Sequence, residues 1–514
     1  MRFLLALLAA FAAAIPASLQ AAAHSRHVVL IVWDGMRPDF ISEEHTPTLA
    51  GLARTGVTFR NHHSVYPSST EVNGTAISTG SYPGHSGLVG NNEYRPEIEI
   101  SRPIHTESLE AVRKGDSLSN GRYIRVPTIA EIVRKAGGNT VVAGAKPVAL
   151  LADRAARESE AGGVNLFAGT TLPPTLQTIL TNQYGAFPGD TSSTPSRIDW
   201  TTGALIDSLW AKGVPEFSFV WMNEPDLSQH LTGPGSERTL ASLNNADKNL
   251  AKILHALEVK GVRETTDVMI VSDHGASTIG SRFDIADLLS QAGIPSVREF
   301  KAKPVTGEIL VVSNGGSTLL YVIGHDEAVI RRAVGFFQRA EFCGVIFCRK
   351  PLPGTFALHE AQIDSENAPD IFVSMRWTTE KNKNGVAGII SSDVSTYGPG
   401  QGSHVSLSPF DMHATLVASG PHFRKGVVDT LASGNVDVAP TVLWILGFKP
   451  PKAMDGRVLS EALTIKGPKV YSFEPRHIEA STENNGARWT QYLNFTEVNG
   501  VRYLDEGNGR QIVK

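Results

Sequence analysis

The run His27-Val28-Val29-Leu30-Ile31-Val32-Trp33 constrains this chain more than any other stretch, because no polar side chain interrupts it from Val28 onward. A strand that alternates polar and apolar residues can leave one face in water. This one cannot, and so reads as an interior strand of a parallel sheet covered on both faces by helices. It stops abruptly at Asp34-Gly35-Met36-Arg37. Open α/β sheets bind ligands beyond the C-terminal ends of their strands, so an acid there is a candidate functional group as well as a turn former.

Runs of the same kind recur at Thr140 to Gly144, Phe217 to Met222 and Asp267 to Ser272, with helical patterns between them at Thr128 to Lys135, Trp200 to Trp210 and Ala241 to Leu257. This alternation predicts an α/β fold with a doubly wound, mostly parallel sheet. Residues 151–196 hold Gly and Pro clusters without periodicity and read as a long excursion. From residue 282 the pattern changes to a strand pair (Ile309 to Val312, Thr318 to Ile323), a helix from Glu327 to Ala340 and a strand at Val345 to Phe347. The expected organisation is a catalytic core of residues 24–281 and 401–467, an inserted smaller α+β cap at 282–400, and a C-terminal β extension at 468–514. The extension carries Asn499-Gly500 between two alternating runs, the signature of a β-hairpin.

Arg2, the apolar stretch from Phe3 to Ile15 and the small residues Ala21-Ala22-Ala23 predict a signal peptide over residues 1–23 and a periplasmic or secreted location. No later stretch is apolar enough to span a bilayer. In an oxidising compartment Cys343 and Cys348 are expected to pair across a bend at Gly344. A net charge of −4, from 47 basic and 51 acidic residues without a long run of one sign, disfavours a nucleic-acid polymer as partner. It leaves small nucleotides open as substrates. Nothing in the sequence calls for an obligate protein partner.

Four strand ends carry residues of metal-ligand type: Asp34; Asp226 with His230; Asp273 with His274; and His404. Singly, each is more often a turn former or a hydrogen-bonded histidine. Their coincidence at neighbouring strand ends is what counts, and the four-residue spacing of Asp226 and His230 places both on one helix face. Three Asp and three His divide into two sites of mixed nitrogen and oxygen ligation, which suits two zinc ions. Paired metals about 4 Å apart serve in-line displacement at phosphorus.

The stretch Tyr66-Pro67-Ser68-Ser69-Thr70-Glu71-Val72-Asn73 adds three adjacent hydroxyls at the start of a helix of small residues. The ordinary reading is an N-cap. A hydroxyl there also meets free backbone N–H groups and the positive end of the helix dipole, a setting suited to a nucleophile that carries a phosphoryl group. Lys146 ends the strand 140–144 and is a candidate substrate-binding cation, against the commoner reading of a solvated lysine.

These motifs resemble those of the nucleotide pyrophosphatase/phosphodiesterase branch of the alkaline phosphatase superfamily. The matching stretches are Asp34-Gly35-Met36-Arg37-Pro38-Asp39, Tyr66 to Asn73, Thr79 to Gly87, Pro225-Asp226 with His230 and Gly233-Pro234, Ser272 to Gly275, Gly402-Ser403-His404, and Ala418 to Pro421. They follow the family's order across residues 27–460. The resemblance implies Thr70 as nucleophile, forming a phosphoryl-threonine intermediate. It implies one zinc held by Asp34, Thr70, Asp273 and His274, and a second held by Asp226, His230 and His404. It also implies that Asn73 donates to a non-bridging phosphate oxygen. No arginine lies near Thr70 to hold a dianion, and residues 68–74 lack the sulfatase C/S-x-P-x-R motif, so a small phosphate diester or nucleotide is the expected substrate. Glu71 adds negative charge in the same sense. The alternative is a phosphomonoesterase or an enzyme like the phosphonoacetate hydrolases, which use lysines in a region comparable to Lys146. Gln229 stands where the family usually has Gly, and Val405 to Pro409 depart from the usual continuation after His404.

Overall fold

A computed structural model of the protein describes residues 26–189, 195–394, 396–470, 472–484 and 486–513. The expected signal peptide lies outside the described residues. The strand His27–Trp33 is fully buried from Val28 on and sits in the middle of a nine-stranded sheet. On one side it pairs in parallel with Thr266–Val271, and on the other with Phe217–Met222. Thr140–Gly144 and then Gly163–Phe167 continue the parallel block. Antiparallel neighbours follow on both sides: Thr170–Leu172 ends one flank beside Gly163–Phe167, and Leu416–Ser419 lies beside Thr266–Val271 with Val57–Phe59 and Val427–Asp429 beyond it.

Helices cover both faces, as the absence of a polar face requires. Val28, Leu30 and Val32 pack with Ile77, Ile129, Val133, Val438 and Val442, while Val29, Ile31 and Trp33 pack with Leu49, Leu243, Leu250 and Ile253 of the opposite layer. Each such aliphatic side chain contributes about 1.5–3 kcal/mol on full burial. The doubly wound expectation holds. The stretch 151–196 differs: strands Gly163–Phe167 and Thr170–Leu172 extend the main sheet, and Thr175–Tyr184 is a helix. These elements are short and follow the turn at Gly162-Gly163, so no single window is long enough to show a period.

Residues beyond 282 build a separate six-stranded sheet, ordered Ser296–Val297, Ile309–Ser313, Ser317–Val322, Ile371–Met375, Cys343–Cys348 and Phe356–Ala357. Helices Ile285–Gln291 and Glu327–Phe337 pack on one face of it. Cys343 and Cys348 lie at the two ends of one strand, both buried and both free, which corrects the expected disulfide. An extended strand separates residues five apart by about 16 Å, well beyond disulfide reach. A four-stranded sheet, in which Ser277–Phe283 pairs with Gly402–Ser403, carries the chain to His404.

The C-terminal extension is a three-stranded antiparallel sheet, not a hairpin alone. Ala487–Val498 and Val501–Val513 form the hairpin, with Asn499 and Gly500 at φ 51° and 82° in its turn. Phe473–Asn484 adds a third strand paired along its whole length. Its run Glu-Pro-Arg-His-Ile-Glu has few apolar residues to mark it as a strand.

Candidate active site

The registers of the central strands determine where the polar residues emerge. Val32 lies opposite both Val271 and Trp221, so the three strands end at one level and deliver Asp34, Asp273 and the segment before Asp226 to the same edge. Gly35 makes the turn after Asp34 at φ 72°, and a Cβ there would come within 3.0 Å of the Asp226 Cβ. Its N–H donates to Asp273 Oδ1 at 3.0 Å, and the His274 N–H donates to the same oxygen at 3.0 Å. Asp34 Oδ2 accepts from Trp221 Nε1 at 2.8 Å and from Lys146 Nζ at 2.7 Å.

Each carboxylate thus has one oxygen held and one left over. Asp34 Oδ1 and Asp273 Oδ2 are buried without a hydrogen-bond partner and lie 3.5 and 3.2 Å from His274 Nε2. Asp226 Oδ1 lies 3.2 Å from His230 Nε2 and 3.8 Å from His404 Nε2, while its Oδ2 accepts from Lys146 at 2.9 Å. The six residues form two groups of converging ligand atoms, Asp34/Asp273/His274 and Asp226/His230/His404. The rings of His274 and His404 stack at 3.6 Å where the groups meet. All three histidines place Nδ1 against a backbone carbonyl, of Gly275, Gly402 and Ser68, at 2.7 to 2.9 Å. That contact puts the proton on Nδ1 and leaves the Nε2 lone pair facing the cluster, the usual state of a metal-bound imidazole. The orphaned buried oxygens and the fixed tautomers fit two cations of mixed nitrogen and oxygen ligation.

Thr70 opens the helix Thr70–Thr79, and its Oγ1 is 3.2 Å from His274 Nε2. Ser68 turns away to the Ser406 carbonyl, and the buried Ser69 Oγ has no partner. Of the three hydroxyls, Thr70 is the one in contact with a ligand group.

The type I phosphodiesterase / nucleotide pyrophosphatase family matches residues 28–340 of the chain. The chain belongs to this family. Its members act as hydrolases of phosphoric esters. The chain is 23% identical over 429 residues to the bis(5'-adenosyl)-triphosphatase enpp4 of Mus musculus, covering 82% of this chain and 78% of that protein. It is 22% identical over 441 residues to the venom phosphodiesterase of Naja atra, covering 82% of this chain and 44% of the longer relative. An inactive form of murine ectonucleotide pyrophosphatase / phosphodiesterase 5, in complex with AMP, shares the fold with a TM-score of 0.61 at 15% identity, covering 85% of this chain and all of that one.

Two of the expected substrate-binding residues, Asn73 and Lys146, have protein partners in the structure. Asn73 is fully buried, and its amide is engaged by backbone groups and by Asn435. Its Nδ2 donates to the carbonyls of Val65, Pro67 and Ser69, and its Oδ1 accepts from Val65 N and Asn435 Nδ2. The amide braces the turn that presents Thr70, and it has no group left for a phosphate. Lys146 does reach the site, but its ammonium is directed at Asp34 and Asp226. Burial lowers the Lys146 pKa, and the two carboxylates more than reverse that, holding it well above the usual lysine value.

Sequence reasoning missed Asn91, Asn435 and Glu107. Asn91 Oδ1 accepts the N–H of Glu71, the residue after Thr70, at 3.2 Å, which puts its carboxamide at the helix N-terminus. Asn435 ties Asn73 to the Asp273 carbonyl. Glu71 is buried and faces no solvent. Burial, then the neighbouring Glu107, push its carboxyl well above the usual range. Gln229 donates to the Gly35 carbonyl at 2.9 Å, so the residue that departs from the family pattern holds the Asp34 turn.

The electrostatics agree with the geometry. Burial and the nearby Asp34 push Asp273 well above the carboxylate range, the mark of two acids too close to ionise together without a cation. Burial lowers His274, and burial with His274 beside it lowers His404 well below the usual value, so both rings are neutral. Burial opposes ionisation of Asp226, yet His230 and Lys146 hold it well below 3.8.

Proposed function

We propose that the chain hydrolyses the phosphodiester or pyrophosphate bond of a small nucleotide-type substrate by way of a phosphoryl-threonine intermediate at Thr70. The observation that carries this reading is a hydroxyl at a helix N-terminus, 3.2 Å from a ligand imidazole and next to two groups of converging ligands. Two zinc ions held by Asp34, Asp273 and His274 and by Asp226, His230 and His404 would supply the acidity that ionises Thr70 and the charge that steadies the leaving oxygen. Thr70 Oγ forms the bond to phosphorus as the ester bond to the leaving alcohol or phosphate breaks, and water then returns Thr70 to its free form. Asn91, placed by its bond to Glu71 N, takes the role first given to Asn73, with its NH2 donating to a non-bridging oxygen. Glu71 and Glu107 bring no positive charge to the Thr70 end of the helix, which favours a diester monoanion over a dianion. A secreted or periplasmic location follows from the expected leader.

The test is a substrate panel with zinc-reconstituted protein. A higher kcat/KM on bis-p-nitrophenyl phosphate than on p-nitrophenyl phosphate or phosphonoacetate is expected. A tenfold preference for the monoester or the phosphonate would overturn the diester reading.

A further inference from the structure

We propose that His63, His413 and Asp505 form a third metal site, of zinc type, which clips the C-terminal sheet to the segment that leads into the nucleophile. This site is separate from the two ligand groups described above and does not depend on the reaction they perform. Ligand atoms of the three residues lie within 4.8 Å of one another. Asp505 Oδ1 is 2.5 Å from His413 Nε2 and 3.3 Å from His63 Nε2, so one carboxylate oxygen and two imidazole nitrogens converge.

Local structure builds each arm of the cluster. His63 and His413 face each other in an antiparallel bridge, with their rings edge to face at 5.0 Å. His63 Nδ1 lies 3.1 Å from the Ser433 carbonyl, the same backbone contact that orients His230, His274 and His404. Its Nε2 is then left with a lone pair toward Asp505. The third arm comes from an irregularity in the last hairpin. Asn494 pairs with Glu506 and Phe495 with Leu504, so Asp505 is the extra residue of a β-bulge. Bulges re-aim side chains at functional positions, and this one turns Asp505 toward two histidines.

Two imidazoles and a carboxylate are ligands of zinc type, and the remaining position belongs to water. The site is reachable, since the His413 and Asp505 side chains are 37% and 39% exposed while His63 is buried. It also has mechanical reach into the catalytic region. The strand His62–His63 pairs with Ser433–Gly434, and the next residue, Asn435, bonds both Asn73 and the Asp273 carbonyl.

The test compares the full chain with His413→Gln and Asp505→Ala after equilibration with micromolar zinc, reading metal content, Tm and turnover of bis-p-nitrophenyl phosphate. Each variant is expected to hold one zinc fewer per chain and to show a smaller rise in Tm on zinc addition, with turnover retained. Equal zinc content in all three proteins would overturn the proposal. Loss of turnover in step with the metal would overturn the assignment of a separate site. Should Asp505→Ala fail to fold, His413→Gln at its partly exposed position decides by the same readings. Zinc-edge anomalous scattering from wild-type crystals gives an independent answer: a peak between the three residues is expected, and none there would overturn the site.

Discussion

The two ligand groups of the active site are built from the same residue types and sit back to back, yet their surroundings differ. Asp34, Asp273 and His274 are completely buried, hang directly from two central strands, and touch Thr70. Asp226 and His230 come from a seven-residue helix, and His404 follows a two-residue strand. His230 is 15% exposed and stacks at 4.4 Å on Tyr397, toward solvent. The deep group is thus part of the fold's interior, and the outer group is a layer added over it. A cation in the deep group should relieve buried repulsion that the protein otherwise carries, whereas one in the outer group should exchange more readily with solvent.

The largest effect that bears on this contrast belongs to Thr70. Thr70→Ala should lower kcat by about 10³-fold or more while leaving metal content and Tm close to wild type, as single-turnover kinetics and metal analysis would show. Retained turnover would mean that the deep group does not present the nucleophile.

Next come the ligands themselves. Asp273→Asn should abolish turnover and remove the dependence of Tm on zinc. His230→Gln should weaken metal binding by about 10–100-fold and regain activity at raised zinc. Equal loss in both variants would break the distinction between deep and outer groups.

Lys146 joins the two groups, since its ammonium bonds Asp34 and Asp226 together. Removing the cation leaves two buried carboxylates facing each other, so Lys146→Met should destabilise the metal-free protein by about 3–5 kcal/mol. The zinc-loaded protein should lose much less, which urea melts with and without chelator would reveal.

The two asparagines give a smaller and more selective effect. Asn91→Ala should cost about 10²-fold in kcat/KM, with a smaller fall in Tm from the one backbone N–H, of Glu71, that its amide accepts from. Asn73→Ala should instead lower Tm, because it leaves the Val65 N–H and C=O unpaired, at about 1–3 kcal/mol each. Tyr397→Leu should have the least effect, a few-fold change in KM.

Much of this site was legible from the chain because its ligands follow long apolar runs. An uninterrupted run such as 28–33 has one place to go, and the acid that ends it is carried to the sheet's edge. The hairpin at Asn499-Gly500 was legible for a similar local reason, a turn that favours φ > 0. For Asn73, spacing along a helix gives the distance to Thr70 but not the partners of the amide, which are backbone groups and Asn435. Asn91 and Asn435 carry no periodic signal, since their roles depend on bonds to residues 71, 73 and 273, which meet only on folding. The cysteines were misread because compartment chemistry says nothing about two thiols on one straight strand.

What the sequence determined by itself is the identity of the sheet, its burial on both faces and the residue types at its rim, since apolar periodicity and strand-ending acids are local properties. Tertiary structure decided which oxygen of each carboxylate is free, which of three hydroxyls meets an imidazole, and that a bulge at Asp505 completes a third cluster with His63 and His413. The physical reason is that hydrogen bonds and metal ligation depend on direction as well as distance, and direction is set only when segments distant in the chain pack together.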